Sequence, residues 1–185
     1  MKKPSKKYYS KDYYLKRDYF DLHLAYAIRS LMQENNLSSL LDVGCGTGKL
    51  VKYMRDKGFK TIGCEISNEA IKMSRKINKR GSIIKASATS LPFKNNTFDI
   101  ICSISVIEHL GKSGVNKFLI EAKRVIAPGG FIFLVTPNWN SPFRIIQQKK
   151  WFAYQDPTHT HYYTPKSLSK KLQIYGFTNI KFQFK

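Results

Sequence analysis

The run Leu41-Asp42-Val43-Gly44-Cys45-Gly46-Thr47-Gly48 sets one carboxylate beside three glycines at alternate positions. Alternating glycines let a chain turn sharply and let a ligand lie against backbone amides at a helix N-terminus. Glu65 stands 21 residues after Gly44, and a carboxylate at the end of the following strand can accept both hydroxyls of a ribose. The turn departs from a dinucleotide fingerprint, because Lys49 occupies the place of the third glycine. It also departs from a Walker-type phosphate loop, because Leu50 stands where Ser or Thr belongs. The chemistry indicated is capture of a nucleoside without a pyrophosphate cradle. A second group, Glu108-His109 and the stretch Asp156-Pro-Thr-His159-Thr-His161, offers imidazoles at a pH where they can take up a proton. His159 and His161 are spaced like a metal pair, but no third ligand is evident near them in sequence. Cys45, Cys64 and Cys102 have neither metal spacing nor the number needed for a disulfide framework.

Placing these residues requires a frame of alternating strands and helices. Apolar positions Leu22, Ala25, Tyr26, Ile28, Leu31 and Met32 fall on one stripe of a helix expected over 10–36. Short apolar runs at 39–43, 60–65, 82–87, 98–104 and 131–136 read as buried strands. Helices are expected between them, to about Lys57 with Gly58 as its stop, over 68–79 with Ser67 as its cap, and over 113–126. After an irregular aromatic stretch at 138–164 come a helix at 167–175 and a last strand at 178–182. This alternation predicts an α/β fold with a doubly wound, mostly parallel sheet.

The chain has 185 residues, 42% hydrophobic, which fits a single domain. Its Lys and Arg number 32 against 12 Asp and Glu, for a net charge of +20. Residues 1–20 carry net +5 and residues 144–185 net +7. Such a surface is either simply solvated or forms a basic rim at the two ends that attracts an anionic partner. The basic opening has no apolar stretch behind it, and no run approaches the roughly 18 residues of a membrane span. The expectation is a soluble, cytoplasmic domain.

From about Leu40 to Phe177 the sequence resembles class I S-adenosylmethionine (SAM) methyltransferases, in particular the small-molecule group that includes quinone-biosynthesis O-methyltransferases. Leu40–Gly48 resembles that family's first motif, and Gly63-Cys-Glu-Ile-Ser its ribose-binding strand end. Ala86–Phe93 with Asn95-Asn-Thr-Phe-Asp-Ile resembles the approach to strand four, followed by Val106-Ile-Glu-His-Leu. Glu121-Ala-Lys-Arg-Val-Ile-Ala-Pro-Gly-Gly resembles the helix and turn before strand five. The resemblance implies a SAM cofactor. Asp42, Gly44, Cys45, Gly46 and Gly48 would hold its methionine end, Glu65 the ribose, and Ile66 the adenine face. Ser87, Ala88 and Thr89 would flank the adenine amino group, with Ser103 and Ser105 closing the pocket. Ser87 replaces the family's usual Asp, so that contact would pass to a hydroxyl, which can still accept a hydrogen bond.

The acceptor is narrowed by exclusion. The Asn/Asp-Pro-Pro-aromatic stretch of amino-methylating DNA enzymes is replaced here by Ser103-Ile-Ser-Val, and Cys102 lacks the context of a pyrimidine C5 nucleophile. Oxygen or a small-molecule nitrogen remains. His109 and His161 are the candidate general bases. Some relatives bind Mg²⁺ through a Glu-x-x-Glu-His run, whose first Glu is Ser105 here, so no metal site is expected; Glu108 and His109 are expected to bond to each other and to backbone. The expected activity is O-methylation of a small or medium-sized, anionic acceptor, with nucleic acid (RNA) or an inactive SAM-binding role as alternatives. Residues 1–37 would form a helical lid, with Tyr8, Tyr9, Tyr13, Tyr14, Tyr19 and Phe20 either covering the cofactor or packing among themselves. Residues 38–137 would form the SAM-binding core and 138–185 the substrate side. The family's seventh strand has no counterpart, so six strands and a monomer are expected, with Lys181 and Lys185 discouraging edge pairing.

Overall fold

The structure, a computed structural model, describes residues 9–16 and 19–184. Its strands are β1 (Ser39–Val43), β2 (Lys60–Glu65), β3 (Ile83–Lys85), β4 (Phe98–Ile104) and β5 (Ile126–Val135). They form one sheet in the order β3-β2-β1-β4-β5, with every pairing parallel. The chain therefore builds outward from β1 to β3, then returns to the other side of β1 for β4 and β5. The carboxyl ends of β1 and β4 flank this reversal, which is where open α/β sheets bind ligands.

Both faces of the sheet are covered. On one face α2 (Leu22–Glu34) and α3 (Lys49–Asp56) pack Ala25, Ile28, Met32, Leu50 and Met54 against Leu40, Ile100 and Cys102. On the other, α5 (Gly111–Val125) and α8 (Pro165–Ile174) pack Phe118, Leu119, Leu168 and Leu172 against Leu41, Val43 and Ile101. The central strands β1 and β4 are buried on both faces, which is why they read as unbroken apolar runs, whereas the edge strand β5 is only partly buried. Cys102 is a buried core residue. Among the described residues no helix is long and apolar enough to cross a membrane.

Several elements depart from the sequence reading. The helix expected over 10–36 is two, α1 (Lys11–Lys16) and α2, the second started by Asp21, whose carboxylate accepts from the Leu24 amide at 3.0 Å. Helix α4 (Asn68–Ser74) ends well before residue 79, because the Asn78 amide donates to the carbonyls of Gly48 and Ser74, both at 3.1 Å. Strand β5 begins at Ile126 and takes in the Pro-Gly-Gly turn, with an irregular register against β4 between Phe98 and Ile100. The sheet has five strands among the described residues, not six. The segment 178–182 is no strand: Asn179 adopts φ 52, outside the extended region, and Ile180 packs sideways onto the core. The 138–164 stretch holds the short helices α6 (Pro142–Gln147) and α7 (Phe152–Gln155). Tyr8 and Lys185 lie outside the described residues.

Candidate cofactor and acceptor site

The glycine turn leaves β1 and is pinned to β2, with the Cys64 carbonyl accepting from the amides of Gly44 (2.8 Å) and Cys45 (3.1 Å). Gly44 has φ +78, and a Cβ there would lie 2.4 Å from Val106 Cγ2, so only glycine fits. Gly46 is different: at φ +53 a Cβ would meet nothing within 4 Å, so its backbone faces open space into which a ligand can come close. Gly48 then caps α3 in the left-handed conformation.

Glu65 ends β2 and binds the turn to it. Its Oε2 accepts from the Gly46 amide at 3.0 Å, and its Oε1 from the amides of Ile66 (2.7 Å) and Ser67 (2.8 Å). A carboxylate oxygen takes two hydrogen bonds, so Oε2 retains capacity for a ligand hydroxyl. Ser67 in turn caps α4, accepting from Ala70. Asp42 is buried, and among the described residues nothing donates to its carboxylate. Burial first, and then the Glu65 charge, push its carboxyl up to about 7. A buried acid without a donor is complementary to a cationic or hydrogen-bond-donating ligand. Ile66 is exposed beside Glu65. Ser87 and Thr89 share a hydroxyl–hydroxyl hydrogen bond of 2.8 Å, and Ala88 packs against the core. Ser103 is fully buried with its hydroxyl unpartnered, and Ser105 takes φ 54 as its amide bonds the Val135 carbonyl.

Residues near the N-terminus touch the elements around this turn. The Ser67 hydroxyl donates to the Tyr9 carbonyl at 3.4 Å, and the Tyr13 hydroxyl donates to Asp156 Oδ2 at 3.2 Å. Tyr9, Tyr13 and Tyr14 stack edge-on in sequence. Burial and the nearby Glu65 charge raise the Tyr14 hydroxyl above its ordinary range. Phe20 instead packs on Tyr53 of α3, and Tyr19 is exposed. Tyr9 and Tyr13 thus contact elements that border the site, whereas Tyr19 and Phe20 do not.

Beyond β4 a tight turn presents Glu108 and His109, and the loop 156–161 docks onto it. The Glu108 carbonyl accepts from Thr160 N (2.9 Å), Thr160 Oγ1 (3.1 Å) and His161 N (3.2 Å). Glu108 and His109 do not bond to each other as expected. Glu108 is fully buried; its Oε2 accepts from the Thr136 hydroxyl at 3.1 Å, and burial raises its carboxyl to about 7. His109 Nδ1 pairs with Thr158 Oγ1 at 2.8 Å, and that hydroxyl donates to Asp156 Oδ1 at 2.5 Å. The ring facing His109 is His159, with centroids 4.7 Å apart, while His161 lies edge-on to Tyr163. Burial, then Lys112 and Lys171, lower the His161 pKa. Sequence reasoning missed Thr136, Thr158 and the approach of His159; their hydroxyls and rings carry no motif of their own. A surface groove of about 670 Å³, lined by Ser39, Lys60, Thr61 and Phe98, lies at the amino ends of the strands, away from these groups.

A profile of the methyltransferase-domain family matches residues 12–181. The chain belongs to that family. Among curated relatives, a probable tRNA methyltransferase 9B of Mus musculus is 33% identical over 58% of this chain and 24% of its own length. A ubiquinone biosynthesis O-methyltransferase of Mesorhizobium japonicum is 29% identical over 54% of this chain and 41% of its own length. The methyltransferase-domain chain thus spans less than half the length of these relatives. Among solved structures, a SAM-dependent methyltransferase from Archaeoglobus fulgidus superposes with a TM-score of 0.66 at 23% identity, over 85% of this chain and 71% of that one. That likeness shows the SAM-dependent methyltransferase fold, here with five strands among the described residues.

Proposed function

We propose that this methyltransferase domain binds SAM at the β1–β2 glycine turn and transfers its methyl group to an oxygen of a small or medium-sized, anionic acceptor. The observation that carries this reading is the pairing of two buried carboxylates, Asp42 and Glu65, around a glycine turn with open space over Gly46. The residues fit the cofactor. Asp42 offers an unpartnered carboxylate to its cationic methionine end, Glu65 an acceptor to the ribose, and Ser103 an orphaned buried hydroxyl on the neighbouring strand β4. Ile66, Ser87, Ala88 and Thr89 are assigned to the adenine. SAM, when bound, would supply a methyl on its sulfonium for in-line transfer to an acceptor oxygen, with the thioether S-adenosylhomocysteine as the leaving group. The protein's part is to align the acceptor, exclude water and take its proton. His161, whose pKa is lowered by burial and by Lys112 and Lys171, and His109, held through Thr158, are the candidates to take that proton.

The acceptor's charge is inferred from the excess of exposed lysines in the C-terminal part of the chain, among them Lys149, Lys150 and Lys170. Lys171 is already engaged with Asn116. A second reading, an RNA acceptor, is favoured by the tRNA methyltransferases among the relatives and by the net charge of +20. Replacing Glu65→Ala should weaken SAM binding by about 1–3 kcal/mol, with Glu65→Gln intermediate. Unchanged affinity in both would refute the site. Incubating the protein with methyl-labelled SAM and cell extract assigns the acceptor. Label in a small-molecule fraction supports the first reading, and ribonuclease-sensitive label supports the second.

A further inference from the structure

We propose that the groove at the amino ends of the strands is a second binding site, for a small organic anion with an apolar body, linked to the glycine turn through Asn78. The groove has a volume of about 670 Å³, within the roughly 300–1,000 Å³ of small-molecule sites. Ser39, Lys60 and Phe98, the first residues of β1, β2 and β4, line it together with the end of α3 and residues 77–79. It therefore lies at the opposite end of the sheet from Glu65 and the glycine turn.

The lining is one-sided in charge. Lys52, Arg55, Lys60 and Lys79 stand against a single carboxylate, Asp56. Lys52 pairs with Asp56 at 2.6 Å, and Arg55 donates to the Thr61 carbonyl at 3.1 Å. The exposed side chains of Lys60 and Lys79 have no hydrogen bond or ion pair among the described residues. Cations lining a concave surface with apolar walls focus its field and draw in anions. The apolar part of the wall comes from Phe59, Ile62, Ile77 and Phe98. Ile77 is 42% exposed, so apolar surface is open to an entering ring or chain. A bare inorganic ion would satisfy the lysines and leave that surface wet, whereas an apolar body covers it favourably. The ligand class that meets both demands is an aromatic or acyl carboxylate, sulfonate or phosphate monoester.

Asn78 joins this groove to the other end of the sheet. It lines the groove, and its Nδ2 donates to the carbonyls of Gly48 and Ser74, both at 3.1 Å. The approach is close: a Cβ on Gly48 would lie 2.6 Å from that Nδ2. Asn78 Oδ1 is buried with no partner among the described residues, so the side-chain amide is held from the turn side alone. Gly48 is where the glycine turn becomes α3. A ligand that shifts Asn78 therefore shifts the end of the turn, and the effect of each site on the other's affinity is reciprocal. This linkage rests on the SAM reading above; the anion site itself does not.

The test is a fluorescence titration with the aromatic sulfonate 8-anilinonaphthalene-1-sulfonate, at low salt and with S-adenosylhomocysteine in excess. One probe per chain is expected. Lys60→Gln/Lys79→Gln should weaken it about 5–30-fold, the worth of two exposed charge contacts. Lys117→Gln/Lys166→Gln, the same loss of charge on α5 and α8, should leave it unchanged. The uncharged analogue N-phenyl-1-naphthylamine should bind the parent and the Lys60/Lys79 variant alike, which separates lost charge from lost fold. Ile77→Asp should weaken both probes. Calorimetry of S-adenosylhomocysteine with and without the sulfonate then reads the linkage, as a change in affinity of at least about twofold in the parent and none in the Lys60/Lys79 variant. Lack of saturable probe binding, or equal affinity in Lys60→Gln/Lys79→Gln, would overturn the anion site. Unchanged S-adenosylhomocysteine affinity with the probe bound would overturn the linkage. No S-adenosylhomocysteine binding at all would overturn the linkage together with the cofactor reading, while the probe titration still decides the groove.

Discussion

Asp42→Asn isolates the cost of holding a carboxylate inside the sheet's carboxyl end. The folded protein keeps Asp42 protonated up to about pH 7, against an ordinary value of 3.8. The unfolded chain releases that proton near pH 4. Between these values the folded state binds the extra proton, so stability falls as pH rises, by about 1.4 kcal/mol per unit. Across roughly three units this comes to about 4 kcal/mol, fully expressed above pH 7 and absent below pH 4. Asparagine cannot ionise and lacks this dependence. Relative to the parent, Asp42→Asn should therefore gain stability as pH is raised from 4 to 8, by a difference on the order of 4 kcal/mol. Urea denaturation of both proteins at pH 4, 5, 6, 7 and 8 without ligand measures it. Taking the difference cancels Glu108 and the other titrating groups common to both proteins. Parallel stability–pH curves for the two proteins would refute the reasoning. The same substitution should weaken SAM, because the carboxylate that meets its cationic end is gone.

Gly44→Ala should destabilise the protein by about 1–3 kcal/mol and disturb SAM binding, since the new methyl meets Val106 at 2.4 Å in a left-handed backbone; a thermal melt with and without SAM checks both. Arg124→Met should cost about 1–3 kcal/mol, because Arg124 donates to the carbonyls of Phe93 (2.6 Å) and Leu91 (2.9 Å) and pairs with Glu121; urea denaturation at constant pH reads the loss. Changing Lys149, Lys150 and Lys170 together to Gln should raise the KM of an anionic acceptor several-fold at low salt and leave SAM affinity intact, an effect that fades as salt screens the charges. Steady-state constants unaltered at low ionic strength would return those lysines to ordinary solvated surface.

What the sequence made legible is local. The glycine turn, the Ser67 cap, the carboxylate ending β2 and the apolar strands all depend on neighbours within a few residues. The Glu121–Arg124 motif is visible as a motif, but its work is not: Glu121 accepts from the Leu91 amide while Arg124 holds Leu91, Phe93 and Asn95, bracing the loop into β4. The acceptor side was least legible, because its contacts are long-range. His109 and Thr158 are 49 residues apart, and Tyr13 and Asp156 are 143 apart. Periodicity misled at the last segment, where Ile180, Phe182 and Phe184 alternate as a strand would. Asn179 turns the chain at φ 52, leaving Phe182 and Phe184 stacked on each other and partly in solvent. The helix after Ser67 was read too long because helical spacing cannot show Asn78 folding back to Gly48.

The glycine turn between Asp42 and Glu65 is the proposed seat of SAM. Isothermal calorimetry of SAM into the protein, in parallel with Glu65→Ala, addresses it directly. One site per chain is expected, with SAM displaced by the demethylated product S-adenosylhomocysteine and its binding weakened roughly 5- to 150-fold in the variant, the equivalent of about 1–3 kcal/mol. Absence of saturable binding, or binding of equal strength in Glu65→Ala, would contradict it.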